Sequence, residues 1–387
     1  MGEDCLSSIE CFRALGVDIR LEGLKLIVQG KAELSPPQKV LDVGNSGTSM
    51  RLMTGLLAAQ PFVSKIDGDA SIKKRPMKRV TDPLSLMGAD ISGEYAPLTI
   101  KGAALKGITY TLEVASAQVK SAILLASLFA EGDTIINEPI STRDHTEIML
   151  KYLGADIEKK IDGHTGANII ISRRLRAALQ AKPIYVPGDI SSASFLIAAA
   201  SIIPGSAISI PGVGVNPSRI GIIRVLRRMG ADIRLYNVTK RCGEAIADID
   251  VRYAPLKAVH VSAEEIPSLI DEIPILAVVA LFAKGDTIIR NAGELRFKET
   301  DRISAIAGEF SKFSATIRTS EDDLIISGMA KALHAAEADS QGDHRLAMSL
   351  SILASAIQGE STICNAECAN ISFPGFYDLL PTCKTAQ

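Results

Sequence analysis

One phrase recurs along this chain and limits what it can fold into. "RALGVDI" (13–19) returns as "SLMGADI" (85–91), "KYLGADI" (151–157) and "RRMGADI" (227–233). A weaker copy is "SKFSATI" (311–317), and "YDLLPTC" (377–383) reads as a degenerate last one. Successive copies lie 72, 66, 76, 84 and 66 residues apart. Such self-similarity means copies of one supersecondary unit, each of which must bury its apolar face against a neighbour.

A second phrase precedes each tail: an Ala/Leu-rich helical run, a turn, then an alternating run. The copies are "LLAAQPFVSKID" (56–67), "LLASLFAEGDTIINEP" (124–139), "LIAAASIIPGSAISIPG" (196–212), "LAVVALFAKGDTIIRNA" (276–292) and "LSILASAIQGESTICNA" (350–366). Gly and Pro-Gly are helix stops, and alternating Thr and Ile after them predict strands. Each unit is therefore expected to run strand, helix, strand, helix, strand, strand over about 70 residues. Six tails are visible but five heads. The chain opens inside a helix ("SSIECFRALGVDI"), which leads to the expectation that roughly 30 to 40 residues of the first unit are missing.

Composition narrows the partners. Of the 387 residues 47% are hydrophobic and 22% charged, with a net charge of -2, so any positive site is local and nucleic acid is not an expected partner. No Trp is present and aromatics are only 4%, so the core must rest on Leu, Ile, Val and Ala. The six cysteines (5, 11, 242, 364, 368 and 383) are scattered, as in a reduced cytoplasmic protein, and Cys364 with Cys368 has no second pair to make a zinc site. No apolar run approaches a membrane span, the acidic start "MGEDCLSSIE" is no signal peptide, and Leu6 spoils a myristoylation motif.

Five apolar helices begin with polar clusters: "GNSGTSMR" (44–51), "SAQVKSA" (116–122), "GDISSAS" (188–194), "DEIP" (271–274) and "GDHRLAM" (342–348). One such cluster reads as a helix cap. Five in register read as helix N-termini converging on a cleft that binds anions through unpaired N–H groups and the positive end of the macrodipole. Asn45, Gly47, Thr48 and Arg51 are candidate ligands, as are His344 and Arg345, with Lys120 a further first-turn cation. Arg51 lies one turn beyond Gly47 and can reach the same anion. "GNSGTSMR" is neither a Walker loop, which needs a lysine after its second glycine, nor a G-x-G-x-x-G fingerprint. A small phosphorylated or carboxylated ligand fits better than a nucleotide.

Two further segments carry the right groups. "GDASIKKRPMKRV" (68–80) packs five cations, and Arg75-Pro76-Met77 reads as a rigid helix entry; a solvated basic loop would look similar. "RFKETDRISAI" (296–306) is expected to set Lys298 and Arg302 on one helical face beside Glu299, although a surface ion-pair helix has the same pattern. With Asp271 at another helix start, two carboxylates then sit among cations, the material of a general acid and base.

The motifs "GNSGTSMRLM", "RPM", "SAQVKSAILLA", "VPGDISSASF", "DEIP", "FKETDR" and "GDHRLAM" resemble, in the same order and over nearly the whole chain, those of 5-enolpyruvylshikimate-3-phosphate synthases. The resemblance implies an α/β protein of the two-domain enolpyruvyl transferase fold. Each domain has three βαβαββ repeats around a pseudo-threefold axis, here expected at 1–185 and 186–387, and the two close on substrate. It implies transfer of the enolpyruvyl group of phosphoenolpyruvate to the 5-hydroxyl of shikimate 3-phosphate, with release of phosphate, in a cytoplasmic monomer that needs no metal or other cofactor and has small molecules as its partners. By motif, Ser116, Ala117 and Gln118 correspond to residues that hold shikimate 3-phosphate, with Arg143 of "STRDHTE" near them. Gly47, Arg75, Arg302 and Arg345 correspond to the phosphoenolpyruvate clamp, which Gln118 bridges. Asp271 corresponds to the base that takes the hydroxyl proton, Glu299 to the donor of a proton to the methylene carbon, and Lys298 to a substrate contact beside it.

Two departures stand out. The family's opening V-P-G-D-K-S-x-x-x-R segment is absent, and its echo "VPGDISSASF" has Ile190 where the lysine falls; "NISFPGF" offers Ile371 where many members have a late lysine. The expectation drawn from them is a shortened form of the enzyme, with a weakly catalytic anion-binding protein of the same lineage as the alternative. The sister transferases acting on UDP-N-acetylglucosamine carry a reactive Cys before the "RP" motif; residues 60–79 contain none.

Overall fold

The first five tail phrases are helix stops. Gly16, Gly88, Gly154 and Gly230 have φ of 84°, 105°, 99° and 103°, and Ser314 takes the same place in the weaker copy with φ 67°. In each, the residue after this position donates its N–H back to the helix, as Ala89 does to the Leu84 carbonyl (3.0 Å) and Ala231 to Leu226 (3.0 Å). This is the Schellman closure, and only a residue free of Cβ strain adopts it without cost. The alanines that follow, Ala89, Ala155 and Ala231, and then Ile19, Ile157 and Ile233, turn into the core.

These observations come from a computed structural model that describes residues 2–23, 25–31 and 33–380. Residues 381–383 of the last expected tail lie outside them. The chain forms two compact units, Met1–Ile184 and Tyr185–Gln387.

In the first unit the pattern is complete twice. Strand Leu41–Asp42, helix Gly47–Ala58, strand Val63–Asp67, helix Lys78–Leu86 and strands Asp90–Ser92 and Leu98–Lys101 form one copy; its first two strands pair in parallel and the rest antiparallel. Strand Thr109–Thr111, helix Ala117–Ser127, strand Thr134–Glu138, helix His145–Tyr152 and strands Ile157–Ile161 and Asn168–Ser172 repeat that order and register type. Before them, helix Glu3–Ala14 leads into an antiparallel hairpin, Asp18–Glu22 with Lys25–Gln29. The two first helices pack so closely that a Cβ on Gly55 would lie 2.2 Å from the Ala122 carbonyl oxygen.

The second unit holds three copies. Helices Ile190–Ile202, Ile273–Leu281 and His344–Ser355 pack against one another. The middle one is buried at every residue, as expected of a helix with no polar face. The fourth copy has a single bridge, Gly188 to Val213, in place of a first strand; the fifth has its first strand split into Leu256–Lys257 and His260–Val261. In the sixth, strands Glu337–Asp339 and Thr362–Cys364 flank the helix, but only the turn Ala366–Ile371 and helix Phe376–Leu379 follow among the described residues, so the expected closing strands are not found there.

Candidate active site

In the first unit, the starts of two helices share one network. Ser46 caps the first through the Ser49 N–H (3.2 Å) and Ser116 the second through the Val119 N–H (3.4 Å). Capping thus occupies one residue in each cluster. The Arg51 guanidinium donates to Gln118 Oε1, and Gln118 Nε2 donates to Thr48 Oγ1 (2.8 Å). Arg75, one of five cations in its segment, is the one that turns inward, with 7% exposure; it donates to Ser71 Oγ (3.0 Å) and Asn45 Oδ1 (3.3 Å). Asn45 is steadied in turn by Asp69 (2.7 Å).

Gly47 is the pivot of this arrangement. A Cβ there would stand 2.8 Å from Arg75 Nη1 and 3.1 Å from Arg51 Nη1, so two guanidinium groups crowd a helix N-terminus that has no side chain. Donors and positive charge at this point suit an anion. Ser116, Ala117 and Gln118 lie half-buried at the neighbouring helix start, and Arg143 is half-buried in the loop before helix His145–Tyr152.

Lys120 corrects the sequence reading. Rather than joining the anion-binding cations, it is fully buried between Glu138 Oε1 and Glu147 Oε1, at 2.7 Å from each. Its position two residues past Gln118 points it across the helix into the core.

The second unit carries the carboxylates. Asp271 Oδ1 takes Lys298 Nζ at 3.1 Å and lies 3.7 Å from Arg302 Nη1. Arg302 is 1% exposed and divides its donors between Glu299 Oε2 (2.6 Å) and the two oxygens of Asp343 (2.8 and 3.2 Å). Asp343 also caps helix His344–Ser355 through the Arg345 N–H (2.8 Å). Arg345 Nη1 faces Glu272 Oε1 at 3.9 Å. Lys298 and Arg302 converge, but not on one helical face as the spacing suggested. The helix begins only at Arg302, behind the cap Asp301, and Lys298 is extended, so a turn brings the two cations together.

His344 is buried, and its Nδ1 has no hydrogen-bond partner. Burial, reinforced by Arg345, pushes its pKa down to about 4, so at neutral pH it offers an N–H donor and not a charge.

Sequence reasoning missed Arg219, of "NPSRIG". It is 7% exposed and lies 3.7 Å from Asp271 Oδ2 and 3.7 Å from Glu272 Oε1. The repeat carried a signal for it. Arg143 and Arg219 each stand 11 residues before a tail glycine, Gly154 and Gly230, while Arg75 and Arg302 stand 13 and 12 before Gly88 and Ser314. Arg302 opens the second helix of its copy, and the other three stand two or three residues before theirs. Ile190, where the family resemblance put a lysine, is instead buried in the apolar core of this unit.

The copied βαβαββ unit is the fold of the enolpyruvyl transferases. The enolpyruvyl transferase NikO from Streptomyces tendae shares the fold at a TM-score of 0.74 and 19% identity, over 96% of this chain and 85% of that one. The family model for EPSP synthase (3-phosphoshikimate 1-carboxyvinyltransferase) matches residues 1–380, and the chain belongs to that family. A 3-phosphoshikimate 1-carboxyvinyltransferase from Syntrophomonas wolfei is 50% identical over 98% of this chain and 88% of its own length; one from Pelotomaculum thermopropionicum is 49% identical with the same coverage. The EPSP synthase of Acinetobacter baumannii matches at a TM-score of 0.85 and 41% identity, over 99% of this chain and 88% of that one.

Proposed function

We propose that this chain transfers the enolpyruvyl group of phosphoenolpyruvate to the 5-hydroxyl of shikimate 3-phosphate and releases phosphate, a step of aromatic amino-acid biosynthesis. The observation that carries the reading is the set Asp271, Lys298, Glu299 and Arg302, in which two carboxylates are each held by cations.

In this reading Ser116, Ala117, Gln118 and Arg143 bind shikimate 3-phosphate. Gly47, Arg75, Arg302 and Arg345 are the candidate ligands of phosphoenolpyruvate, with Gln118 bridging the two substrates, and Asn45, Thr48, Arg51 and His344 are further substrate-binding candidates. Glu299 delivers a proton to the methylene carbon of phosphoenolpyruvate, and positive charge develops at the adjacent carbon. Asp271 takes the proton of the 5-hydroxyl as its oxygen bonds to that carbon. Loss of a proton from the new methyl group then restores the double bond as the carbon–oxygen bond to phosphate breaks. The cations contribute by holding two multiply charged anions in reacting geometry, which supplies much of the rate. We place the protein in the cytoplasm as a monomer acting on small molecules alone. The net charge of -2 gives the chain no general affinity for nucleic acid.

The test is phosphate release from the two substrates together, compared with either alone. Asp271→Asn should lower kcat by about 10²- to 10⁴-fold while binding of shikimate 3-phosphate persists. Phosphate release that needs only one substrate, or an Asp271→Asn variant as fast as the parent, would refute the assignment.

A further inference from the structure

Arg219 has no role in the reaction as derived above, yet it is built into the carboxylate cluster. Its guanidinium donates to Ser191 Oγ, and Ser191 Oγ donates to Glu272 Oε1. Nη2 also faces Asp189 Oδ1 at 3.6 Å and Glu272 Oε1 at 3.7 Å, while Nη1 faces Asp271 Oδ2 at 3.7 Å. Two segments, 189–191 and 271–272, therefore hold one planar fork, which hardly reaches solvent. A fork held on one edge and aimed at a carboxylate on the other is a device for orientation, and Arg suits it as Lys does not.

We propose that Arg219 is the positioning residue for Asp271. It faces the Oδ2 side of the carboxylate at 3.7 Å, while Lys298 donates to Oδ1 and Arg302 lies 3.7 Å from it, and together these cations keep Asp271 aimed at the hydroxyl. The inference rests on the reading of Asp271 as the base. The charged groups around it are Lys298, Arg302 and Arg219, then Glu272 next in the chain, with Glu299 and Asp343 reached through Arg302, Asp189 through Arg219 and Arg345 through Glu272.

Removing Arg219 acts on Asp271 twice in the same direction. A cation facing Oδ2 is lost, and the buried Glu272 keeps only the more distant Arg345, at 3.9 Å, so its negative charge bears more strongly on its neighbour. Both effects favour the protonated form of Asp271.

Carboxyl titration by carbon NMR of aspartate-labelled, substrate-free protein reads this directly, with Asp271→Asn identifying the resonance. In Arg219→Gln the Asp271 midpoint should rise by about one pH unit, and the acid limb of kcat/KM should rise with it. KM for both substrates should stay within about twofold, because the roles proposed above assign Arg219 to neither substrate. Arg219→Lys should restore the midpoint but lower kcat about fivefold, since one ammonium cannot span Ser191 and Asp271 together. A folded Arg219→Gln with the parental midpoint overturns the proposal. Should that variant not fold, an Arg219→Lys with unaltered Asp271 resonance and kcat overturns it. Because the titration needs no substrate, a parent chain without turnover sinks the enzymatic reading and leaves this result to stand by itself.

Discussion

Lys120 offers the sharpest test of how charges are distributed between core and site. Its Nζ sits 2.7 Å from an oxygen of Glu138 and of Glu147, with the lysine fully buried. Glu138 has other support, from the Thr142 N–H (3.0 Å), the Thr142 hydroxyl (2.5 Å) and Asn168 Nδ2 (2.8 Å). Glu147 depends on Lys120: burial pushes its pKa up, and the lysine opposes that rise. Lys120→Met leaves two neighbouring buried carboxylates with no cation, which costs about 3–5 kcal/mol of stability at neutral pH. The sign with pH follows. Without Lys120 the Glu147 pKa rises further, and protonation relieves the variant as pH falls. Relative to the parent, the deficit should therefore shrink by up to about 1.4 kcal/mol per pH unit toward pH 5. Urea denaturation at pH 8 and pH 5 measures both values, and Glu147→Gln added to Lys120→Met should recover much of the loss. A deficit below about 1 kcal/mol at pH 8, paired with a raised KM, would show instead that Lys120 serves an anion, and the core assignment would fail.

Gly55→Ala gains about 1 kcal/mol in helix propensity but places a Cβ 2.2 Å from a backbone oxygen. The two helices must part by about 1 Å, for a net loss near 2 kcal/mol in thermal denaturation, and a neutral result would contradict the packing. At Gly47 the nearest atoms belong to flexible guanidinium ends, so Gly47→Ala should leave stability within about 0.5 kcal/mol. It should raise KM for phosphoenolpyruvate through displacement of Arg75; steady-state kinetics decide, and an unchanged KM counts against Gly47 as part of the anion site. His344 is held neutral with a pKa near 4 against an ordinary 6.5, so the unfolded chain binds the extra proton between those values. Its contribution, about 3 kcal/mol, is complete above pH 6.5 and fades as pH falls toward 4; His344→Gln should flatten that part of the stability curve, and a parallel curve would refute the linkage.

Local chemistry made the architecture legible in the amino-acid order. A tail that needs a left-handed residue writes itself as Gly16, Gly88, Gly154 and Gly230, and the buried Ala89, Ala155, Ala231, Ile19, Ile157 and Ile233 follow because the chain must turn back onto its sheet. The same holds for Ser46, Ser116, Asp189 and Asp343, whose caps are contacts within three residues. Which cation meets which carboxylate could not be read this way. Lys120 and Arg51 both stand in the first turns of apolar helices, yet one is sealed between two glutamates and the other reaches Gln118. Lys298 and Arg302 meet through a turn where the spacing implied a helix, and Arg219 joins Asp271 from 52 positions away. The reason is physical. Backbone closure depends on the nearest few residues, while the environment of a charge is set by whatever the packing of distant segments brings within about 4 Å and shields from water.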